Sequence, residues 1–149
     1  MNSGLFVASK TPLSNMTFTP FNMGDSSVNK GFFSCDIGDI HLVTTHLQPH
    51  RGPDDLQIQD QELEMIHATL PQDRVVHLSG DFNREYGVPL ERPTSTDTYE
   101  ATRWGAPQEE DAITDGVICY GADLSQVRVV DTFDGNFAPT DHRGVYSTL

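Results

Sequence analysis

Short apolar runs bounded by turn-forming residues make up most of the sequence, and only one segment carries a helical pattern. The runs contain many Val, Ile, Phe and Thr residues, and they end at Gly, Pro, Asn or Asp, which is typical of β-strands. The chain has 149 residues, enough for one domain with its own core. We therefore predict a single domain over residues 1–149, an α/β or α+β sandwich rather than a helix bundle. The predicted strands are residues 5–9, 30–37, 40–45, 75–79, 115–120, 126–131 and 144–148, with a short edge strand near 16–18.

The predicted helix begins at Asp54, where apolar side chains start to recur with a helical period. Pro53 suits the first turn of this helix, and Pro71 ends it. Gly38-Asp39 between two strand-like runs predicts a tight hairpin. The apolar stripe of the helix consists of Leu56, Leu63, Ile66 and Leu70.

The charge balance is strongly acidic, with 9 Lys and Arg against 22 Asp and Glu and a net charge of -13. Such a surface repels phosphate backbones at long range and argues against nonspecific nucleic-acid coating. A local basic pocket or a bound divalent cation could still bring a phosphate in. We find no run long enough to span a bilayer and no signal-peptide pattern. Cys35 and Cys119 lie in separate strand-like runs, which favours buried free thiols over a disulfide.

Gly80-Asp81-Phe82-Asn83 follows a predicted strand. Asp81 and Asn83 are two residues apart, so in extended chain both side chains point to the same side. Their oxygens could hold a hard cation or fix a phosphate oxygen. The alternative is a simple Asp/Asn turn.

Three further positions carry groups suited to acid–base chemistry. His46 closes a predicted strand, Asp115 opens another, and Asp141-His142 precedes the last one. A histidine can act as a general base, and a carboxylate can fix its tautomer or bind a metal. The alternatives are a histidine bonded to the backbone, a solvated strand-entry acid and a solvated loop pair. The spacing of the histidines near His46 does not match a zinc site.

Taken in order, five segments resemble the endonuclease/exonuclease/phosphatase superfamily of metal-dependent phosphoesterases. SGLFVASKTP resembles the family's SGLAILSRYPI, and NKG with the later THLQ resembles its KG…THLQ. GDFN matches GDFN, TDGVI resembles LDYIF, and TDH resembles SDH. The resemblance implies a DNase I-like fold, a two-layer β-sandwich flanked by helices. Lys30-Gly31, the THLQ segment, Gln61-Glu62-Leu63 and Thr98-Tyr99 are most like the neutral sphingomyelinase branch.

The resemblance implies a divalent-metal-dependent phosphodiester hydrolase that uses Mg²⁺ or Mn²⁺. Asp81 and Asn83 would contact the phosphate, the attacking water or the metal, and His46 would stabilise the developing charge or protonate the leaving oxygen. His142 would be the general base for water, oriented by Asp115. Asp141 would sit at the metal. The implied substrate is a phosphodiester, either a phospholipid such as sphingomyelin or a nucleic acid.

The chain departs from the family pattern at its beginning and at Gly116, where the family has an aromatic residue. The family places an Asn and a metal-binding Glu upstream of the SGL segment, where this chain starts. We therefore expect an N-terminally truncated domain that lacks its opening strands, completed by a missing N-terminal segment or by a homo-oligomer. The alternatives to a phospholipid hydrolase are an impaired remnant that acts as a binding module, and a nuclease of the same fold.

Overall fold

A five-stranded mixed sheet with one helix forms the main body of the protein. The computed structural model describes residues 4–21, 29–49, 52–83, 115–130 and 144–149. The sheet has the strand order β1-β2-β3-β4-β5 and is accompanied by a two-stranded sheet of β6 and β7. The elements in chain order are β1 (Ser14–Pro20), β2 (Gly31–Ile37), β3 (Ile40–His46), α1 (Pro53–Thr69), β4 (Val75–Asp81), β5 (Asp115–Tyr120), β6 (Gln126–Val130) and β7 (Gly144–Thr148).

The β2–β3 hairpin confirms the prediction from Gly38-Asp39. Gly38 has a φ of +59°, a backbone conformation that glycine adopts without a steric penalty. The two strands pair in antiparallel register from Ile37 opposite Ile40 to Gly31 opposite His46. This register brings His46 to the far end of the hairpin.

Helix α1 begins at Pro53, one residue before the predicted Asp54, ends at Thr69 before Pro71, and connects two parallel strands. The Gly52 N–H donates to the Asp55 carboxylate at 2.9 Å, which satisfies a backbone donor at the helix start. Leu63 and Ile66 are buried in the core with residues of β3 and β4, whereas Leu56 is 38% exposed and lies outside it. Because β3 and β4 are parallel, α1 forms the crossover that places their carboxyl ends side by side.

The prediction of a buried strand over residues 5–9 is wrong. This segment forms no strand with the described residues, and the Phe6 side chain is 87% exposed. Apolar composition favours a strand, but a strand also needs a partner whose backbone it can pair with. The edge strand predicted near residues 16–18 is confirmed and longer, since β1 runs over Ser14–Pro20.

The second sheet touches the first through a side-chain hydrogen bond, with 3.0 Å between His77 Nε2 on β4 and Ser147 Oγ on β7. Cys35 and Cys119 are free and buried, as predicted, and burial raises the pKa of both thiols. The part of the chain that the structure describes contains no helix long and apolar enough to cross a bilayer.

Candidate functional site

Three of the predicted site residues occupy the ends of three adjacent strands. His46, the last residue of β3, lies opposite Asp81 at the end of β4. Asp81 in turn lies opposite Asp115, the first residue of β5. The mixed pairing therefore brings an imidazole and two carboxylates to one edge of the sheet, although they are far apart in the sequence.

His46 and Asp81 are within ion-pair distance, with His46 Nε2 lying 3.4 Å from Asp81 Oδ2. The other carboxylate oxygen, Asp81 Oδ1, accepts the Asn83 backbone N–H at 2.8 Å. Their side chains are 34% and 16% exposed, so the imidazole is the more accessible partner. Asp81 is thus oriented by its own chain so that its second oxygen faces the imidazole.

Asn83 departs from the predicted extended geometry. Its φ is +50°, a left-handed conformation that asparagine tolerates better than most residues. Its Nδ2 lies 2.9 Å from the Leu47 carbonyl oxygen. Because a carbonyl can only accept, the amide nitrogen must face Leu47, and the side chain keeps Oδ1 as its remaining acceptor. The turn thus uses the Asn83 amide to join the segments that follow β3 and β4.

A cavity of about 310 Å³ opens at this edge of the sheet, with His46, Asp81 and Asp115 in its wall. Gly4 also lines it, and a Cβ at that position would lie 3.7 Å from His46 Nδ1. Of the lining residues in the described part of the chain, none is Lys or Arg. The two carboxylates give this part of the cavity wall a negative charge, which favours a cation over a bare phosphate.

Gly80 permits the close approach of β3 and β4 beside the site. Its φ is +149°, and a Cβ there would overlap the Thr45 carbonyl oxygen. A glycine inside a strand often marks such a close backbone approach. The glycine of the GDFN motif therefore has a steric role immediately before Asp81.

The donors at the site suit a hard cation in type, although the described residues do not form a full ligand set. Asp81 and Asp115 supply carboxylate oxygens in the cavity wall, and Mg²⁺ prefers oxygen over nitrogen or sulfur. Across the described residues, no group of three His, Cys, Asp or Glu side chains could hold a metal ion. Mg²⁺ usually keeps several waters and takes only one or two protein carboxylates, so the donors present are compatible with it.

A buried polar network that was not predicted from the sequence lies next to these residues. Gln59 and Glu62 of α1 are fully buried, and both contact the backbone of Gln48. Burial raises the pKa of Glu62, although the Gln48 N–H and the nearby Lys30 ammonium oppose this rise. The available signal was helical spacing, since Gln59 and Glu62 share a face with Ile66. Polar side chains on an apolar helix face indicate buried hydrogen bonds.

Asp141 and His142 lie outside the described residues, as does Thr98-Tyr99. Their predicted roles stay predictions. Lys30, which supported the resemblance, is buried and donates from Nζ to the Leu47 carbonyl oxygen at 2.9 Å. It therefore binds the same carbonyl as Asn83.

Solved structures share this fold at low sequence identity. One is beta toxin from Staphylococcus aureus, at 19% identity and a TM-score of 0.73, covering 94% of this chain and 65% of its own. Another is TDP2 from D. rerio complexed with a single-strand DNA product, at 14% identity and a TM-score of 0.68. This match covers 91% of the present chain and 67% of the TDP2 chain. A third is an endonuclease/exonuclease/phosphatase protein from Beutenbergia cavernae, at 17% identity and a TM-score of 0.68. This match covers 93% of the present chain and 45% of the other.

No protein-family model matches the sequence, and no curated protein matches it either. The chain spans about 65% of the length of the staphylococcal toxin and the same share of SmcL, a further structural neighbour. These likenesses rest on the arrangement of strands and helix rather than on sequence identity. The protein shares the DNase I-like fold of these solved structures.

Proposed function

We propose that this chain carries the site of a divalent-metal-dependent phosphodiester hydrolase. The observation that supports this most is the meeting of His46, Asp81 and Asp115 at adjacent strand ends around one cavity. The structural neighbours include an endonuclease/exonuclease/phosphatase protein and a protein crystallised with a DNA product. A fold of this kind and a site of this composition together favour phosphoester chemistry.

His46 is suited to act on the charge that develops during hydrolysis. Attack of water on the phosphorus increases negative charge on the nonbridging oxygens and then on the leaving oxygen. A protonated imidazole can stabilise that charge or give its proton to the leaving oxygen. Asp81, 3.4 Å away, would hold the ring in place. His46 is a third exposed, so a substrate in the cavity can reach it.

Mg²⁺ or Mn²⁺ is the proposed cofactor. Asp81 and Asp115 are the described groups that would hold it. Asp141 is the predicted ligand outside the described residues, and Asn83 stays a predicted contact of the phosphate, the water or the metal. The cation would supply Lewis-acid stabilisation of the phosphate oxygens. It would also offset the charge of the two carboxylates in the cavity wall, which otherwise repel the substrate.

His142 is the proposed general base for water, with Asp115 as the carboxylate that orients it. Asp115 lines the cavity at the start of β5. A carboxylate next to a histidine fixes its tautomer and increases its basicity. This assignment rests on the resemblance of Thr140-Asp141-His142 to the family's SDH segment.

A phospholipid is the proposed substrate, ahead of a nucleic acid. Four of the nine Lys and Arg residues are in the described part of the chain, and none of these four lines the cavity. Lys30 is buried, and Arg74 lies 3.3 Å from Asp36 at the opposite end of the sheet. Because the net charge of the protein is -13, a long polyanion gains little binding free energy from its surface. A single phosphodiester needs to contact only the local site.

The test measures hydrolysis of bis(p-nitrophenyl) phosphate by the purified chain with Mg²⁺ or Mn²⁺ and after EDTA treatment. We expect metal-dependent turnover, and a loss of about 10²–10⁴-fold in kcat for His46→Gln and for Asp81→Asn. Asp39→Asn, in the exposed hairpin turn, is the matched control and should leave kcat unchanged. Sphingomyelin vesicles and single-stranded DNA, compared next, distinguish the two substrate classes.

A wild-type chain with no metal-dependent turnover would overturn the proposal. Calorimetric titration with Mg²⁺ then separates the remaining possibilities. Binding of the metal without turnover would favour an impaired remnant that acts as a binding module.

A further inference from the structure

Gln59 joins the two segments that leave the sheet at the candidate site. Its side chain is fully buried on the inner face of α1. The Nε2 atom lies 2.5 Å from the Gln48 carbonyl oxygen, two residues after the end of β3, and 3.1 Å from the Asn83 carbonyl oxygen, two residues after the end of β4. One amide group therefore bridges the chain after His46 and the chain after Asp81.

The chemistry of the two partners fixes the orientation of this amide. Both are carbonyl oxygens, which accept and never donate, so the Gln59 NH₂ group must face them. Its Oε1 atom is buried and has no hydrogen-bond partner among the described residues. The amide oxygen of Gln59 is thus left without a described hydrogen bond, while the NH₂ group donates to the segments after β3 and β4.

Gln48 is held from its other side by the same helix. Its backbone N–H donates to Glu62 Oε2 at 2.8 Å, while its carbonyl accepts from Gln59. Glu62 lies one turn after Gln59 on α1. Two neighbouring turns of this helix therefore form hydrogen bonds with the backbone N–H and the backbone carbonyl of Gln48. The segment after β3 has little freedom to shift relative to α1.

Hydrogen bonds through Asn83 also connect Gln59 to Asp81, the carboxylate that faces the His46 imidazole. Gln59 holds the Asn83 carbonyl, the Asn83 N–H holds Asp81 Oδ1, and Asp81 Oδ2 lies 3.4 Å from His46 Nε2. Gln59 therefore binds Gln48, two residues after His46, on one segment, and it is connected to Asp81 through Asn83 on the other. A change at Gln59 acts on both sides of the His46–Asp81 pair.

We propose that Gln59 is a positioning residue, which holds the segments after β3 and β4 so that His46 and Asp81 face each other across the cavity. The inference rests on the proposed function only in so far as this pair serves hydrolysis. The arrangement itself can be tested without any activity.

The experiment compares Gln59→Leu, which keeps much of the side-chain bulk and removes both donors, with Gln57→Leu on the exposed face of the same helix. Ile66→Val, a mild core change in the same helix, controls for stability alone. In ¹⁵N-labelled chain we expect Gln59→Leu to shift the ring resonances of His46 and the backbone amides of Asp81 and Asn83. Neither control should move these resonances. Unchanged resonances in a folded Gln59→Leu variant would overturn the proposal.

Where the chain hydrolyses bis(p-nitrophenyl) phosphate, a kinetic readout is added. We expect Gln59→Leu to lower kcat by about 10- to 100-fold with KM nearly unchanged, because misplacement of reacting groups acts on the chemical step. Equal losses in Gln59→Leu and Ile66→Val would show a purely structural role and overturn the proposal. If Gln59→Leu does not fold, Gln59→Glu preserves the shape and is measured in the same way. If the wild-type chain shows no turnover, the proposed function is wrong. The resonance shifts still test whether Gln59 positions His46 and Asp81.

Discussion

Asp81 lies directly opposite His46 on the neighbouring parallel strand, and its Oδ2 atom stands 3.4 Å from His46 Nε2. Parallel strands need a crossover, and here α1 provides it between β3 and β4. The residue pair is therefore created by the topology, since 35 positions separate its members along the chain. Any model of the site has to treat the imidazole and the carboxylate as one unit.

The first prediction concerns that unit. His46→Gln and Asp81→Asn should each lower kcat strongly, and the double variant should lose little more than the worse single one. Residues that act together give such non-additive losses, whereas independent residues multiply them. The measurement is a double-mutant cycle on bis(p-nitrophenyl) phosphate hydrolysis with Mg²⁺. Losses that multiply fully would mean that Asp81 does not act through His46.

The second prediction concerns the glycine before Asp81. Gly80→Ala places a Cβ against the Thr45 carbonyl oxygen in a backbone conformation that is strained for any side chain. We expect the free energy of unfolding to fall by about 3–5 kcal/mol, a loss typical of severe backbone and packing conflicts. Urea denaturation followed by circular dichroism measures this loss.

Gly38→Ala is the matched control for that experiment. Gly38 also has a positive φ, but nothing lies within 4 Å of a Cβ built there. Only the cost of the left-handed conformation remains, about 1–2 kcal/mol. Similar losses at the two positions would argue that strand approach at Gly80 is not the determining factor.

The sequence predicts the strand ends at the site better than it predicts the geometry beyond them. His46 and Asp115 are found at strand ends because apolar runs and turn residues mark those boundaries locally. Sequence spacing predicts Asn83 in extended chain, but Asn83 adopts a left-handed turn and its side chain bonds to Leu47, which spacing does not reveal. Residues 5–9 carry a strand composition, but no described strand pairs with them.

Gln59 shows why part of the site escapes sequence reasoning. Its two partners are backbone carbonyls, and a backbone carbonyl has no signature in the sequence. Spacing places Gln59 on the buried face of α1, but only the fold brings Gln48 and Asn83 within reach of one amide. The catalytic roles of the described residues, and those of Asp141 and His142, stay predictions that activity measurements must decide.

The third prediction concerns Asp36, a buried carboxylate at the opposite end of the sheet from His46. Hydrogen bonds from Asn15 and His41 and the charge of Arg74 hold its pKa below the ordinary 3.8, against the effect of burial. The ionised form is therefore favoured by folding, and this stabilisation is present above pH 3.8 and lost as the pH falls through the folded-state pKa.

Asp36→Asn should accordingly lower the free energy of unfolding by about 1.5–3 kcal/mol at pH 7, the usual range for a hydrogen-bonded charged group. The difference from wild type should shrink as the pH approaches 3. Asp39→Asn, an exposed carboxylate in the adjoining hairpin turn, is the control and should change stability little. A deficit for Asp36→Asn that stays constant down to pH 3 would contradict the role of its charge.

The fourth prediction concerns His77, which connects the two sheets through Ser147. Burial lowers the pKa of His77 below the ordinary 6.5, so folding favours the neutral ring. A base with a lowered pKa stabilises the fold above its unfolded-state pKa, and this contribution is lost as the pH falls below about 6.5. The contact between β4 and β7 should therefore weaken on mild acidification.

Two variants separate the charge of His77 from its hydrogen bond. His77→Gln removes the titration and keeps a polar group, so its Tm should fall less than that of wild type between pH 8 and pH 5.5. Ser147→Ala removes the partner and leaves the buried imidazole, so it should lower Tm at both pH values and keep the acid sensitivity. Scanning calorimetry at the two pH values gives both comparisons. If His77→Gln is as sensitive to acid as wild type, the titrating group lies elsewhere and the inter-sheet contact depends only on the neutral hydrogen bond.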